Sequence, residues 1–272
     1  MHITGLFLYP VKSLRGHAVP AAELDALGFV GDRRFLVVDP TGKFMTQRTA
    51  PRMACIDARL SVGALTLSAD GAGSVCVPTV SDPRALLRSV SVWKSEGLQA
   101  EDCGATASAW LSDFLDLTCL LVRIGEKFSR PILKSSARPG DTVTFADGYP
   151  LLAVSEASLM NLNDRILENM GAPVPMNRFR PNIVVDDCTA FAEDAWTRIQ
   201  IGDAVFRNGG PCARCPITTT DQLTGERDKE PLKTLATFRR DQGDSTRINF
   251  GINLIHETKQ GALRVGDPVI PL

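Results

Sequence analysis

Asn208-Gly-Gly-Pro-Cys-Ala-Arg-Cys-Pro216 gathers glycines, prolines, two thiols and a guanidinium into one short stretch. Glycine admits backbone angles closed to other residues and proline removes a backbone donor, so the composition predicts an irregular turn, neither helix nor central strand. Held in that turn are Cys212, Arg214 and Cys215. A soft, potentially anionic sulfur beside a permanent fork-shaped cation suits a soft metal carried on an anionic cofactor. The same residues also read as a proline-rich surface loop with two incidental cysteines, and both readings stand at this point. Cys212-x-x-Cys215 further admits half of a zinc knuckle or a thioredoxin-type redox pair. A structural zinc site needs four ligands, and the chain has neither a second CxxC nor a histidine pair. A redox pair of that type opens a helix, whereas Pro216 followed by Ile217-Thr-Thr-Thr220 favours a strand.

Working outward, Trp196–Ile201 and Ala204–Arg207 lead into the stretch as strands. After it, Lys229-Glu-Pro231 marks a helix start, with Leu232, Leu235 and Ala236 facing inward. Residues 250–256 and 262–270 read as closing strands. Upstream, residues 149–154 form a buried strand run, and Ser155 caps a helix bearing Leu159, Leu162, Ile166 and Met170 on one face. Arg178-Phe-Arg-Pro-Asn182 leads into the β-branched strand Ile183–Asp186. Residues 126–146, polar and rich in Pro and Gly, form a loop that either lines a site or links solvated segments.

The first half reads as β-structure. Residues 2–9 and 18–24 are strand candidates. Phe35–Val38 and Lys43–Gln47 flank the turn Asp39-Pro-Thr-Gly42 as a hairpin. Short strands near residues 55–60, 64–68, 74–78 and 88–93 suit a barrel or bent sheet. From Asp102 the period changes. Ala107, Trp110, Leu111, Phe114 and Leu115 fall on one helical stripe before a strand at 118–123.

At 272 residues the chain can bury a large core as one big domain or two modest ones. Its 44% hydrophobic and 22% charged residues argue for a folded globular protein. A formal charge of −1 predicts no strong field for nucleic acid or anionic membrane, so any cationic site must be local. The seven cysteines are odd in number and scattered, which suits a reducing compartment, the cytoplasm. The N-terminus lacks a basic region before its apolar run, and no run approaches the ~20 residues of a membrane span. Motifs for a P-loop, a dinucleotide fold and a serine hydrolase are missing.

Lys12, Arg33, Arg180 and Arg214 each adjoin a strand end or a Gly/Pro turn, where charges can aim at a common point. Alternation along an extended segment would set Arg180 and Asn182 on one face, a fork-like donor beside an amide. His2, His17 and His256 are isolated, each a surface or core histidine.

Tyr9-Pro-Val-Lys-Ser-Leu-Arg-Gly16, Gly31-Asp-Arg-Arg-Phe35, Asp147-Gly-Tyr-Pro150, Ser155–Leu159, Phe179-Arg-Pro-Asn-Ile183, Pro211-Cys-Ala-Arg-Cys215 and Val265-Gly-Asp-Pro-Val269 occur in this order. Together they resemble the MOSC family, over essentially the whole chain. The resemblance implies a β-rich α+β fold: an N-terminal β-barrel-like region (1–120) packed on a MOSC β-barrel domain (121–272) with a few helices. It implies a pyranopterin molybdenum cofactor whose metal is bound by the Cys215 thiolate, with Arg214 stabilising the anionic sulfur. Lys12, Ser13, Arg33, Arg180, Asn182 and Arg214 would hold the pterin and its phosphate, with Asn253 beside them. Ala213 stands where some relatives have serine, and Asn253 where some have tyrosine. Asp147 is a candidate proton donor or substrate anchor, and Cys212 has the character of a packed, inert thiol.

The activity implied is molybdenum-dependent reduction of hydroxylamines, amidoximes or N-hydroxy bases. A non-catalytic molybdopterin carrier or sulfur-transfer module is the alternative. Some relatives carry a fused iron–sulfur domain needing four spaced cysteines. None follows Val265–Val269 here, so a separate flavin or iron–sulfur electron donor is expected.

Overall fold

The computed structural model describes residues 1–272, and the architecture is β-rich with three α-helices. Its largest element is an eight-stranded sheet. In spatial order the strands are Val269–Pro271, Arg198–Ile201, Ala204–Ala213, Asn249–His256, Leu151–Ser155, Ile183–Asp186, His2–Leu8 and His17–Val19. Neighbours run antiparallel except Leu151–Ser155 and Ile183–Asp186, which are parallel. A parallel pair needs a crossover, and helix α2 (Glu156–Glu168) supplies it. Ser155 caps α2 as its sequence predicts, its hydroxyl accepting from the Ser158 amide at 3.1 Å.

Strands of the first half make smaller sheets. Phe35–Val38, Leu120–Arg123, Ser95–Asp102 and Leu87–Val92 form one. Asp57–Ser61, Ala64–Ala69 and Gly73–Pro78 form another, and helix α1 (Ala105–Leu115) packs beside it with Leu111 fully buried. Ala21–Asp25 joins the late strand Gly261–Arg264 and the short Gly28–Phe29.

Two principal cores result. One gathers Ile3, Leu6, Phe206, Ile252 and Leu254 under the large sheet. The other gathers Phe35, Val37, Leu65, Leu67, Leu111 and Leu121. Each fully buried side chain of this size contributes roughly 1.5–3 kcal/mol by leaving water. Because His2–Leu8 lies inside the large sheet, the chain starts in one core and crosses to the other. Val11 bridges to Phe35 in parallel, and the Lys12 amide donates to the Phe35 carbonyl at 2.9 Å. Residues 11–13 therefore lie on the seam.

Three local expectations are corrected. Asn208–Ala213 continues a strand instead of breaking it, although register shifts occur between Asn208 and Gly210 and between Pro211 and Ala213. Arg198–Ile201 meets this strand only at 204–207, so Pro211 has a partner on one side alone, and its missing N–H leaves no sheet acceptor unmet on the other. Pro216–Thr219 is a 3₁₀ turn where a β-rich run was expected. Proline favours a first helical position, and the Thr218 and Thr219 hydroxyls donate to the Cys215 and Pro216 carbonyls at 3.0 and 2.8 Å. The second hairpin arm pairs only through Lys43, Phe44 and Met45, then leaves the sheet and carries Arg48 toward the seam.

Gly251 shows how tightly the central strand is fitted. Its φ is +75°, and a Cβ there would lie 2.7 Å from both the Ala153 carbonyl oxygen and Val154 Cγ2. Gly251→Ala is expected to lower unfolding stability by about 2 kcal/mol or more, from the strained φ and the clash together. Urea denaturation checks this, and a loss within the fitting error would show that the strand yields easily.

Candidate functional site

A cavity of about 150 Å³ opens at the seam. Lys12, Ser13, Arg33, Asp147, Arg180, Asn182, Arg214, Cys215 and Asn253 all line it, so the residues picked from sequence converge. They come from six separate segments of chain. Three of them, Ser13, Arg33 and Arg180, have φ of 66°, 47° and 56°. Left-handed backbone in non-glycine residues costs of order 1–3 kcal/mol each and persists only where surroundings over-determine it. At Arg33 the amide donates to the Tyr9 carbonyl at 2.8 Å, and its carbonyl accepts from the Phe145 amide at 3.1 Å.

Tyr9 organises the floor. Its ring centroid lies 4.3 Å from the guanidinium carbons of both Arg33 and Arg180. Aromatic faces attract such cations, which lets two like charges share one buried neighbourhood. Burial pushes the Tyr9 phenol up to about 12 against the pull of the two arginines, and it donates to the Pro181 carbonyl at 3.1 Å. Arg33 also donates to Asp32 at 2.7 Å and to the Asn182 side-chain oxygen at 2.9 Å. Arg180 donates to the Leu14 carbonyl at 2.7 Å. Burial, reinforced by Arg33, lowers the Arg180 pKa to about 10, which leaves it charged at neutral pH.

The expected alternation of Arg180 and Asn182 fails, because the left-handed turn at Arg180 breaks the extended run. Asn182 still reaches the cavity, but its amide is spent internally. It donates to the Phe7 carbonyl at 3.2 Å and accepts from Arg33 and the Leu152 amide. It therefore locks Arg33 in place, and a ligand finds little of it free.

The cysteines take partners other than those expected. Arg214 donates to Cys212 Sγ at 2.9 Å and to the Phe179 carbonyl at 2.6 Å. Cys215 Sγ instead accepts from Arg48 at 3.1 Å. Burial raises the Cys212 thiol pKa, opposed by Arg214. Arg48 escaped the sequence reading because it follows an ordinary hairpin, and nothing local sets it apart. Arg227 places it by donating to the Gln47 and Arg48 carbonyls.

Asp147 is the one acid lining this cavity. Burial would raise its pKa, but Lys12, Trp93 and Arg48 outweigh that and hold it well below the usual carboxylate range. Lys12 pairs with it directly, the Trp93 indole donates at 3.0 Å, and Arg48 lies 3.8 Å away. At neutral pH such an ionised carboxylate accepts hydrogen bonds and carries no proton of its own. Burial lowers the Lys12 pKa while Asp147 raises it.

The cavity thus sets five cations (Lys12, Arg33, Arg48, Arg180, Arg214) against this carboxylate and leaves two buried donors without partners, Arg48 Nη1 and Arg214 Nε. Cationic side chains and the Cys215 thiol thus border one small space.

Residues 1–118 match the MOSC N-terminal beta barrel domain and residues 140–270 the MOSC domain. The chain is 35% identical over 281 residues to mitochondrial amidoxime-reducing component 1 of Mus musculus, covering 98% of this chain and 81% of that protein. The human counterpart is 34% identical, with 98% and 82% covered. Molybdenum cofactor sulfurase of Danio rerio is 30% identical, with 99% of this chain but 34% of the sulfurase covered.

A folded pKa held below its unfolded value stabilises the protein above the unfolded value, near ~3.9 for aspartate, and that contribution fades as pH falls further. Asp147→Asn should therefore cost stability by a constant amount at neutral pH, about 1 kcal/mol because the carboxylate is half exposed and screened. Below the ordinary carboxylate range the two proteins should converge. Parallel melting curves from neutral to strongly acid pH would refute the ion pair's role.

Proposed function

Because the chain belongs to the MOSC family, with both its N-terminal β-barrel and its MOSC domain represented, we propose that the seam cavity binds a molybdenum cofactor and serves reductive cleavage of N–O bonds in small molecules. The observation that carries this reading is the convergence of five cationic side chains, Lys12, Arg33, Arg48, Arg180 and Arg214, with Cys215 on one small cavity. A phosphate-bearing ligand with a thiophilic metal satisfies both needs.

In this reading the Cys215 thiolate ligates the metal, with Arg48 beside the sulfur. Lys12, Arg180 and Arg214 meet the anionic part of the cofactor. Ser13 and Asn253 border the same space, and Asn182 acts through Arg33. When bound, the cofactor supplies the two-electron couple for converting an N-hydroxylated compound to the amine or amidine and water. Asp147 keeps Lys12 and Arg48 aligned and offers an acceptor to the substrate's N–H or O–H groups. Protons then come from solvent. Electrons come from a separate flavin or iron–sulfur protein. The cytoplasm belongs to the same proposal, since all seven cysteines are free thiols. No helix is long and apolar enough to cross a membrane.

The likeness to a molybdenum cofactor sulfurase keeps a second reading open, a cofactor carrier or sulfur-transfer module without reductive turnover. Two measurements separate the possibilities. Metal analysis should find molybdenum in stoichiometric amount in the native protein and almost none in Cys215→Ala; equal metal in both removes Cys215 from its role. Hydroxylamine or amidoxime reduction with an artificial electron donor should appear in native protein and vanish when tungstate replaces molybdate during expression. Bound cofactor with no reduction would favour the carrier.

A further inference from the structure

Beside the seam cavity lies a larger cleft of about 600 Å³. The two share Asp147, Tyr149, Cys212 and Asn253 along their border. Trp93 stands on the cleft side, at the tip of the hairpin made by Leu87–Val92 and Ser95–Asp102. It is 45% exposed and has φ of 56°, a left-handed conformation unusual for so large a residue. One face of its indole carries the Arg48 guanidinium, with the carbon 4.6 Å from the ring, while its Nε1 donates to Asp147 at 3.0 Å. Trp93 thus contacts two groups of the inner cavity and keeps a surface for the outer cleft.

The charges of the cleft are unbalanced. Asp147 is already paired with Lys12, and Arg247 is paired with Asp244 at 3.0 Å. Arg130 is buried and spends its donors on the Ser95 hydroxyl and the carbonyls of Thr144, Ala146 and Asp147. Lys94 and Lys134 also line the cleft and are exposed, and their ammonium groups have no ion-pair or hydrogen-bond partner. Lys134 is aimed inward. A Cβ placed on Gly148 would lie 2.8 Å from Lys134 Cε and 3.6 Å from its Nζ, so the ammonium hangs over the residue next to Asp147. Its loop is pinned on both sides. Arg130 ties it to the hairpin of Trp93, and the Ser136 hydroxyl donates to the Gly209 carbonyl at 2.9 Å.

We propose that this cleft is the substrate chamber and that it selects N-hydroxylated compounds carrying a negatively charged group, the anion meeting Lys134 and Lys94 while a planar body lies along Trp93. The inference rests on the reductase reading of the neighbouring cavity. Two uncompensated ammonium groups over a cleft raise the local concentration of anions and favour their bound state, whereas a neutral molecule of the same shape gains only the indole contact.

The test compares benzamidoxime with 4-carboxybenzamidoxime on cofactor-loaded protein, by steady-state reduction with a viologen donor and by calorimetric binding without the donor. The carboxylate should show KM and Kd lower by about five- to tenfold at low salt, as expected for one partly screened charge-assisted contact. The gap should narrow as salt rises. Lys134→Ala should bring the ratio of the two compounds toward one, while Lys127→Ala, on the same loop but outside the cleft, should leave the ratio intact. Equal affinity for both compounds, or a Lys134→Ala effect that is the same for both, overturns the proposal even if both are reduced. A charge preference in binding with no reduction of either compound supports the anion-selective chamber and counts against the reductase reading.

Discussion

Five cations converge on one small cavity, and their mutual repulsion is the constraint that the surrounding structure answers. Arg33 and Arg180 are the tightest case, since both approach the same tyrosine ring. Like charges this close are tolerable only if each is separately bonded. Asp32 takes Arg33, the Leu14 carbonyl takes Arg180, and Asn182 braces the first while the ring faces both. Left-handed backbone at Ser13, Arg33 and Arg180 lies at the same cavity, a costly conformation that persists only where surroundings over-determine it.

The seam location solves a second problem. Charges sit poorly inside an apolar core, and the two main cores here are apolar throughout. At their junction, strand ends and turns expose backbone carbonyls that can receive guanidinium protons. The carbonyls of Leu14, Phe179 and Arg180 do so. The site thus uses backbone groups that a sheet interior would have consumed in its ladder.

The distribution of partners around the two cysteines gives them different characters. Cys212 is held by its near neighbour Arg214 along one strand edge, an arrangement local in sequence. Cys215 is reached by Arg48, which is 167 positions away in the chain. Adjacency of a cysteine and an arginine in sequence pointed to the wrong pair, because along extended backbone successive side chains face opposite ways while i and i+2 share a side. Cys212 and Arg214 satisfy that rule; Arg214 and Cys215 do not.

Much of the architecture was legible without coordinates. Alternating apolar residues marked most strands, the stripe from Ala107 to Leu115 marked a helix, and Ser155 announced the next one, because these signals act over a few residues. The order of short motifs carried the candidate site, and its members do line one cavity. Tertiary structure decided everything that depends on distant segments meeting. It brought Arg48 and Trp93 to the site, kept Asp147 ionised beside Lys12, and turned the stretch at Pro211 into a one-sided strand. Each depends on which charge or edge lies across a gap of a few ångströms, and chain order alone contains no measure of that distance.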